Sequence, residues 1–214
     1  MTEVFCIAGG LAAAAGGMWY WKREGIFSVQ TAAEKNISNL LKTAAVICSL
    51  CFGILLGTKD WDILLCIKLL VMYGFILAVS AVDWKKRIIA NRVIITAFAV
   101  RAAILIFEYV LRRDTFLQNT AGSFWGFLFG FGFLFLVTIL SKRSIGYGDV
   151  KLFAAIGIYV GFWGTFNVLF YSLFYCAVVS LVLMAAKKAG RKSRIPFAPF
   201  IYMGYATMVL FQAF

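Results

Sequence analysis

The chain contains no histidine. That absence excludes Ser-His-Asp and Cys-His nucleophile machinery and zinc sites of the H-E-x-x-H kind. Any catalysis must rest on carboxylates, lysine, tyrosine, serine or cysteine. Proline is nearly absent, with two in 214 residues. No stretch rich in proline, glycine or serine divides the chain, so a single membrane domain over residues 1–214 is expected. The five cysteines, Cys6, Cys48, Cys51, Cys66 and Cys176, all fall in apolar stretches. Cys48 and Cys51 have metal-like spacing, but no second pair accompanies them. They are read as reduced, buried small side chains. No metal and no cofactor is expected.

Charge is scarce too, and mostly of one sign. Nine acids stand against 21 lysines and arginines. What fills the chain instead is apolar: 63% of its residues are hydrophobic, where a soluble domain is nearer half. Uncharged runs of about 18 or more residues recur, which is the pattern of membrane-spanning helices. The short alternating segments of a β-barrel are missing. The fold class expected is an all-α polytopic membrane helix bundle of about eight transmembrane spans. The spans fall near 4–21, 40–57, 63–82, 92–111, 122–140, 150–164, 167–186 and 197–214. No basic segment precedes the first apolar run, which reads as a first span and not as a signal peptide.

The basic residues cluster in alternate loops. One set holds Lys22, Arg23, Lys35 and Lys42, then Lys85, Lys86, Arg87 and Arg92, then Lys142, Arg143 and Lys151, and finally Lys187, Lys188, Arg191, Lys192 and Arg194. The other set holds only Lys59, Arg112 and Arg113. By the positive-inside rule the first set is cytoplasmic and both termini lie outside. The net charge of +12 is therefore a topology signal, and no nucleic-acid partner is expected. Residues 152–186 are uncharged and would measure roughly 52 Å as one helix. That exceeds a hydrocarbon core of about 30 Å. Two short spans turning near Gly161–Asn167 fit better.

This topology puts two acids on one face. Asp83 ends the third span, in AVDWKKRIIANRVI, and Asp149 opens the sixth, in SIGYGDVKLFAAIG. Intramembrane carboxylates are costly and usually face the bundle interior or a wet cavity. Two of them a few ångströms apart share a proton, which supplies a base and an acid from one residue type. The bland alternative is that Asp149 caps a helix and Asp83 pairs with the lysines beside it. Gly146 and Gly148 favour the first reading, because glycine lets another backbone approach closely.

Three segments carry a family resemblance. The Asp83 segment has an acid, a basic run and then Ile-Ala-Asn. GYGDVKLFAAIGIYVG has G-x-G-D followed by lysine and spaced glycines. RIPFAPFIYMG has two prolines and aromatic residues near the C-terminus. Together and in this order they resemble the type IV prepilin peptidases, aspartic membrane proteases of the G-x-G-D kind. The resemblance implies that Asp83 and Asp149 are catalytic. It implies that Gly146, Gly148, Lys151, Asn91 and Pro196 help to hold the substrate. The substrate would be a prepilin or pseudopilin, cut at the cytoplasmic edge of the bacterial inner membrane, with membrane lipid the other partner. Ala90 and Ala198 stand where the family commonly has proline and glycine, which bears on substrate positioning. The 22–42 loop is short and lacks cysteine, so the resemblance is to the peptidase-only form. Any methylation would need another protein.

Other residues have blander readings. Lys151 is expected to anchor the helix end by snorkelling. Arg101 and Glu108, seven apart on one face of span four, are expected to be structural glue, and Lys68 can pair with Glu108 or with helix carbonyls. Pro196 and Pro199 can simply start the last helix. Two other functions remain open: a proton-coupled transporter using the acids as a relay, and a pilus-assembly factor that binds without cutting.

Overall fold

The computed structural model describes residues 2–25, 32–58, 61–140, 146–187 and 195–211. Several of the basic positions used for topology lie outside them: Lys59, Lys142, Arg143, Lys188, Arg191, Lys192 and Arg194. The side chain of Lys35 and the last three residues of the eighth expected span lie outside them as well.

The described residues form a bundle of helices: α1 (Thr2–Arg23), α2 (Ala32–Gly57), α3 (Ile63–Lys86), α4 (Asn91–Leu111) and α5 (Arg113–Phe127). A π-helical stretch, Leu128–Phe133, continues α5 into α6 (Leu134–Leu140). Then come α7 (Tyr147–Ala185) and α8 (Ala198–Leu210). Five helical stretches are long and apolar enough to cross a membrane, and two shorter apolar helices, Lys42–Gly57 and Ala198–Leu210, accompany them. Large apolar side chains such as Phe131, Phe170 and Leu181 are exposed. A membrane helix presents such side chains to lipid at no cost. Cys48 and Cys51 follow the same logic. They are free thiols but exposed, not buried as expected, while Cys6 and Cys66 are buried. A small apolar thiol gains nothing from burial when its surroundings are hydrocarbon.

The long run 152–186 turns back on itself. Gly161 breaks α7 with φ 74° and ψ −171°, a conformation that a residue with a Cβ rarely adopts. The two limbs then run side by side against α5 and the π-helical stretch. A side chain added at Gly130 would collide with the Phe153 carbonyl and would lie 3.3 Å from Thr165 Cγ2. Residues 153 and 165 would be roughly 18 Å apart in one straight helix, so both can touch Gly130 only if the chain doubles back. Closer to the turn, Gly126 and Gly157 bring their backbones into direct contact. The expected turn near Gly161–Asn167 is a break at Gly161 itself, and residues 162–167 are already helical.

Buried side chains bond backbone carbonyls around the break. Thr165 Oγ1 donates to Gly161 O at 2.6 Å. Arg101 Nε donates to Ile158 O at 2.8 Å. The same guanidinium reaches Ser123 Oγ at 3.0 Å and Glu108 Oε2 at 2.9 Å. Lys68 Nζ closes the network on Glu108 Oε1 at 2.9 Å. Arg101 and Glu108 are each 1% exposed. These three charges tie α3, α4, α5 and α7 together around the hairpin. The glue read from the i, i+7 spacing is therefore real, and Lys68 belongs to it.

Polar contacts also fix which helix ends lie together. Lys86 Nζ pairs with Glu24 at 2.9 Å, joining the ends of α3 and α1. Arg112 pairs with Asp62 at 2.6 Å, joining the opposite end of α3 to the end of α4. Tyr205 Oη donates to Leu69 O at 2.9 Å and sets α8 alongside α3.

Removing the central acid tests the network. Glu108→Leu leaves the buried Arg101 and the half-buried Lys68 without a counter-charge, and it is expected to destabilise the protein by about 3–5 kcal/mol. Unfolding in detergent reads this, and an unchanged midpoint contradicts it.

Candidate active site

Three helix ends meet at the pole of the bundle that carries Lys85, Lys86, Arg87, Arg92 and Lys151. Asp83 lies in the last turn of α3 and is 7% exposed. Its Oδ2 accepts a hydrogen bond from the Ala198 amide at 3.0 Å, and the Phe197 amide also points at this carboxylate. These are the free amides of the α8 N-terminus, whose N-cap, Phe197, has no capping side chain. Helix N-termini leave amides unpaired and carry partial positive charge. Asp83 supplies the missing cap from another helix, and α8 supplies the donors that a carboxylate at a membrane edge needs.

Asp149 sits in the first turn of α7, three residues after the N-cap Gly146. The Gly146 amide donates back to its carboxylate, which is the return half of a capping box. Asp149 and Asp83 are close enough for their charges to interact. The structure thus brings the two expected acids to one place, from the end of one helix and the start of another.

The two glycines around Tyr147 do different work. A side chain at Gly146 would put its Cβ 3.1 Å from Asp149 Oδ2. It would crowd the acid itself. A Cβ at Gly148 would lie 2.9 Å from the Ile89 Cβ. The space over Gly148 is occupied by Ile89 from the α3–α4 loop, so this glycine docks that loop onto the start of α7. Close approach of another segment was the expectation, but the segment that approaches here belongs to the chain itself.

Asn91 and Lys151 meet as well. Lys151 Nζ donates to Asn91 Oδ1 at 3.0 Å, bracing the start of α4 against the start of α7. Lys151 is exposed, as an anchor at the helix end should be, but it has a specific partner. Pro196 is half-buried, two residues before the Ala198 amide. Ala90, which stands where the resembled family commonly has proline, has φ −72°, within the range that a proline ring would fix. The turn keeps its shape without the ring. Ala198 is fully buried and reaches Asp83 through its backbone, so the exchange from glycine leaves that hydrogen bond in place.

Sequence reasoning missed three participants: the amides of Phe197 and Ala198, and the side chain of Ile89. The first two left a trace. The segment RIPFAPF starts a helix without a serine, threonine, aspartate or asparagine at its N-cap, so an acceptor had to come from elsewhere.

Residues 70–181 match the model of the type IV leader peptidase family. The chain belongs to that family. The matched segment holds both aspartates, the G-x-G-D glycines, Asn91 and Lys151, while α8 lies beyond it. Among similar proteins is the prepilin leader peptidase/N-methyltransferase of Bacillus subtilis (strain 168), 26% identical over 134 residues, covering 63% of this chain and 51% of that protein. Another is the leader peptidase HopD of Escherichia coli, 30% identical over 107 residues, covering 45% of this chain and 64% of that protein. A third is the prepilin leader peptidase/N-methyltransferase of Xanthomonas campestris pv. campestris, 24% identical over 147 residues, covering 66% and 48%. The chain thus spans roughly half to two thirds of the length of these leader peptidase relatives. No solved structure matches.

The Gly148–Ile89 contact gives a double-mutant test. Gly148→Ala overpacks the loop and is expected to cost about 1–3 kcal/mol. Pairing it with Ile89→Gly, which removes the opposing carbon, should return much of that loss. Thermal unfolding of the two single variants and the double variant measures it, and simple additivity contradicts the contact.

Proposed function

We propose that this protein is an aspartic endopeptidase that removes the basic leader from prepilin or pseudopilin precursors. The observation that carries the reading is that Asp83 and Asp149 lie at the same basic pole of the bundle, close enough for their charges to interact. Membership of the type IV leader peptidase family supports it, and so do the names of the relatives.

The chemistry follows from the pair. Two neighbouring carboxyls hold one proton between them. The ionised one draws a proton from water, which attacks the scissile carbonyl. The protonated one donates to the tetrahedral oxygen or to the leaving amine. Amides on each acid, from α8 on Asp83 and from Gly146 on Asp149, hold the carboxyls in place and need not move during the reaction. A substrate helix must unwind at the cut, because its carbonyls are otherwise bonded within the helix. The site lies at a helix-end pole and not at mid-membrane, which suits a cut between a polar leader and an apolar helix.

On this reading the pole faces the cytoplasm at a bacterial inner membrane, with both termini outside, and the alternation of basic segments in the sequence supports that orientation. The reading takes residues 1–214 as one peptidase domain, and Pro196, with Lys151 and Asn91, as part of the wall along which the substrate lies. The transporter reading has no support of its own, since the same two acids are accounted for by proteolysis. The assembly-factor reading drew on Ala90 and Ala198; Ala90 has φ −72° and Ala198 still donates its amide to Asp83, so neither residue counts against catalysis.

Asp83→Asn and Asp149→Asn keep the shape and most hydrogen bonds while removing the acid–base couple. Each is expected to lower cleavage of a co-expressed prepilin at least about a thousandfold, the combined scale of an acid and a base, while the protein still inserts in the membrane. Immunoblotting with N-terminal sequencing of the product reads the outcome. Full processing by either variant contradicts the proposal.

A further inference from the structure

Helices α1 and α4 both lean on α3 but stand apart from one another. Between them lies a cavity of about 630 Å3 floored by α3 from Ile67 to Ala78. Its walls are apolar, with Ala12 and Gly16 on one side and Val93 and Val100 on the other. At the pole that carries Asp83 it ends between Arg23 and Arg92, with Trp19 and Tyr20 beside them. The acid at this rim, Glu24, is already committed. Lys86 lies 2.9 Å from it, and that hydrogen bond holds the Glu24 carboxyl below the usual carboxylate range. Arg23 stacks over the Trp19 ring at 5.7 Å. Neither Arg23 nor Arg92 forms an ion pair among the described residues.

A slot of hydrocarbon character thus runs along the membrane and opens onto two guanidiniums at headgroup depth. Aromatic side chains mark that depth. Basic pockets between membrane helices recognise anionic headgroups. We propose that this cavity binds an anionic phospholipid, with an acyl chain along α3 and the phosphate held between Arg23 and Arg92. A partner's apolar helix would fill the slot but bring no anion to the two guanidiniums, whose nearby acid, Glu24, is hydrogen-bonded to Lys86. The lipid satisfies the walls and the rim together. The site is separate from the Asp83–Asp149 pair, since it lies on a face of α3 turned away from Asp83, and it does not depend on the peptidase reading.

The test uses the full chain reconstituted with equal amounts of phosphatidylglycerol and phosphatidylcholine, followed by native mass spectrometry of the lipid it retains. The wild type is expected to favour phosphatidylglycerol by on the order of tenfold or more, the scale of two basic residues at the membrane surface. Arg23→Gln combined with Arg92→Gln should abolish the preference. Gly16→Leu should displace the lipid altogether, and it has room to fold because a Cβ at Gly16 meets nothing within 4 Å. If the double variant does not insert, the two single substitutions, both at exposed positions, should each reduce the preference. Equal retention of the two lipids by the wild type overturns the proposal. So does an undiminished preference in the arginine variants or in Gly16→Leu, including the case where a co-purifying apolar helix is lost in place of the lipid.

Discussion

The hydrogen bond from the α8 N-terminus to Asp83 is the contact on which the site depends. A carboxylate at the edge of a membrane bundle needs donors, and a helix that begins without a capping side chain needs an acceptor. Each is the answer to the other. The contact forces the end of α3 and the start of α8 to the same pole. The antiparallel run of α8 beside α3, pinned by Tyr205 on the Leu69 carbonyl, follows from the same constraint. Asp149 then arrives from the start of α7, held by its own helix through Gly146 and by the Ile89 loop through Gly148. A site built from three helix ends gains rigid supports and a concentration of free amides that a single helix could not provide.

The far end of α7 is secured differently. Its first limb is short, roughly 21 Å from Tyr147 to Val160, and it ends in the break at Gly161. Arg101 bonds the Ile158 carbonyl near it and draws Glu108 and Lys68 with it. Burying three charges is not a cheap way to hold helices together, and well-packed apolar residues often stabilise as much. Its value here is directional. The guanidinium fixes the height of the hairpin against α4 and α5, and so the depth at which Asp149 emerges at the other end of the same limb.

The helices were legible because a bilayer imposes a length. The run 152–186 was too long for one crossing, and Gly161 is where it breaks. Arg101 and Glu108 were legible because a seven-residue spacing puts them on one face of a helix. The two acids were legible as a pair because both stand at the same end of their spans. What could not be read was whatever depends on backbone donors or on the meeting of distant loops. The Ala198 amide has no residue-type signature, and Ile89 filling the space over Gly148 needs the loop to be folded first. The Asn91–Lys151 bond joined two residues that had each been noticed for a different reason. The exposed Cys48 and Cys51 departed from expectation because burial rules drawn from water-soluble proteins do not hold where the surroundings are lipid.

The central claim is that Asp83 and Asp149 share one site, and proximity tests it most directly. Asp83→Cys and Asp149→Cys, introduced together into a chain whose five native cysteines are replaced, should be joined in membranes by a short bifunctional thiol reagent. The pair Asp62→Cys with Asp149→Cys, at opposite ends of the bundle, should not be. Efficient cross-linking of the first pair alone is the predicted result. No cross-link between positions 83 and 149, or equal yields for the two pairs, would contradict the account.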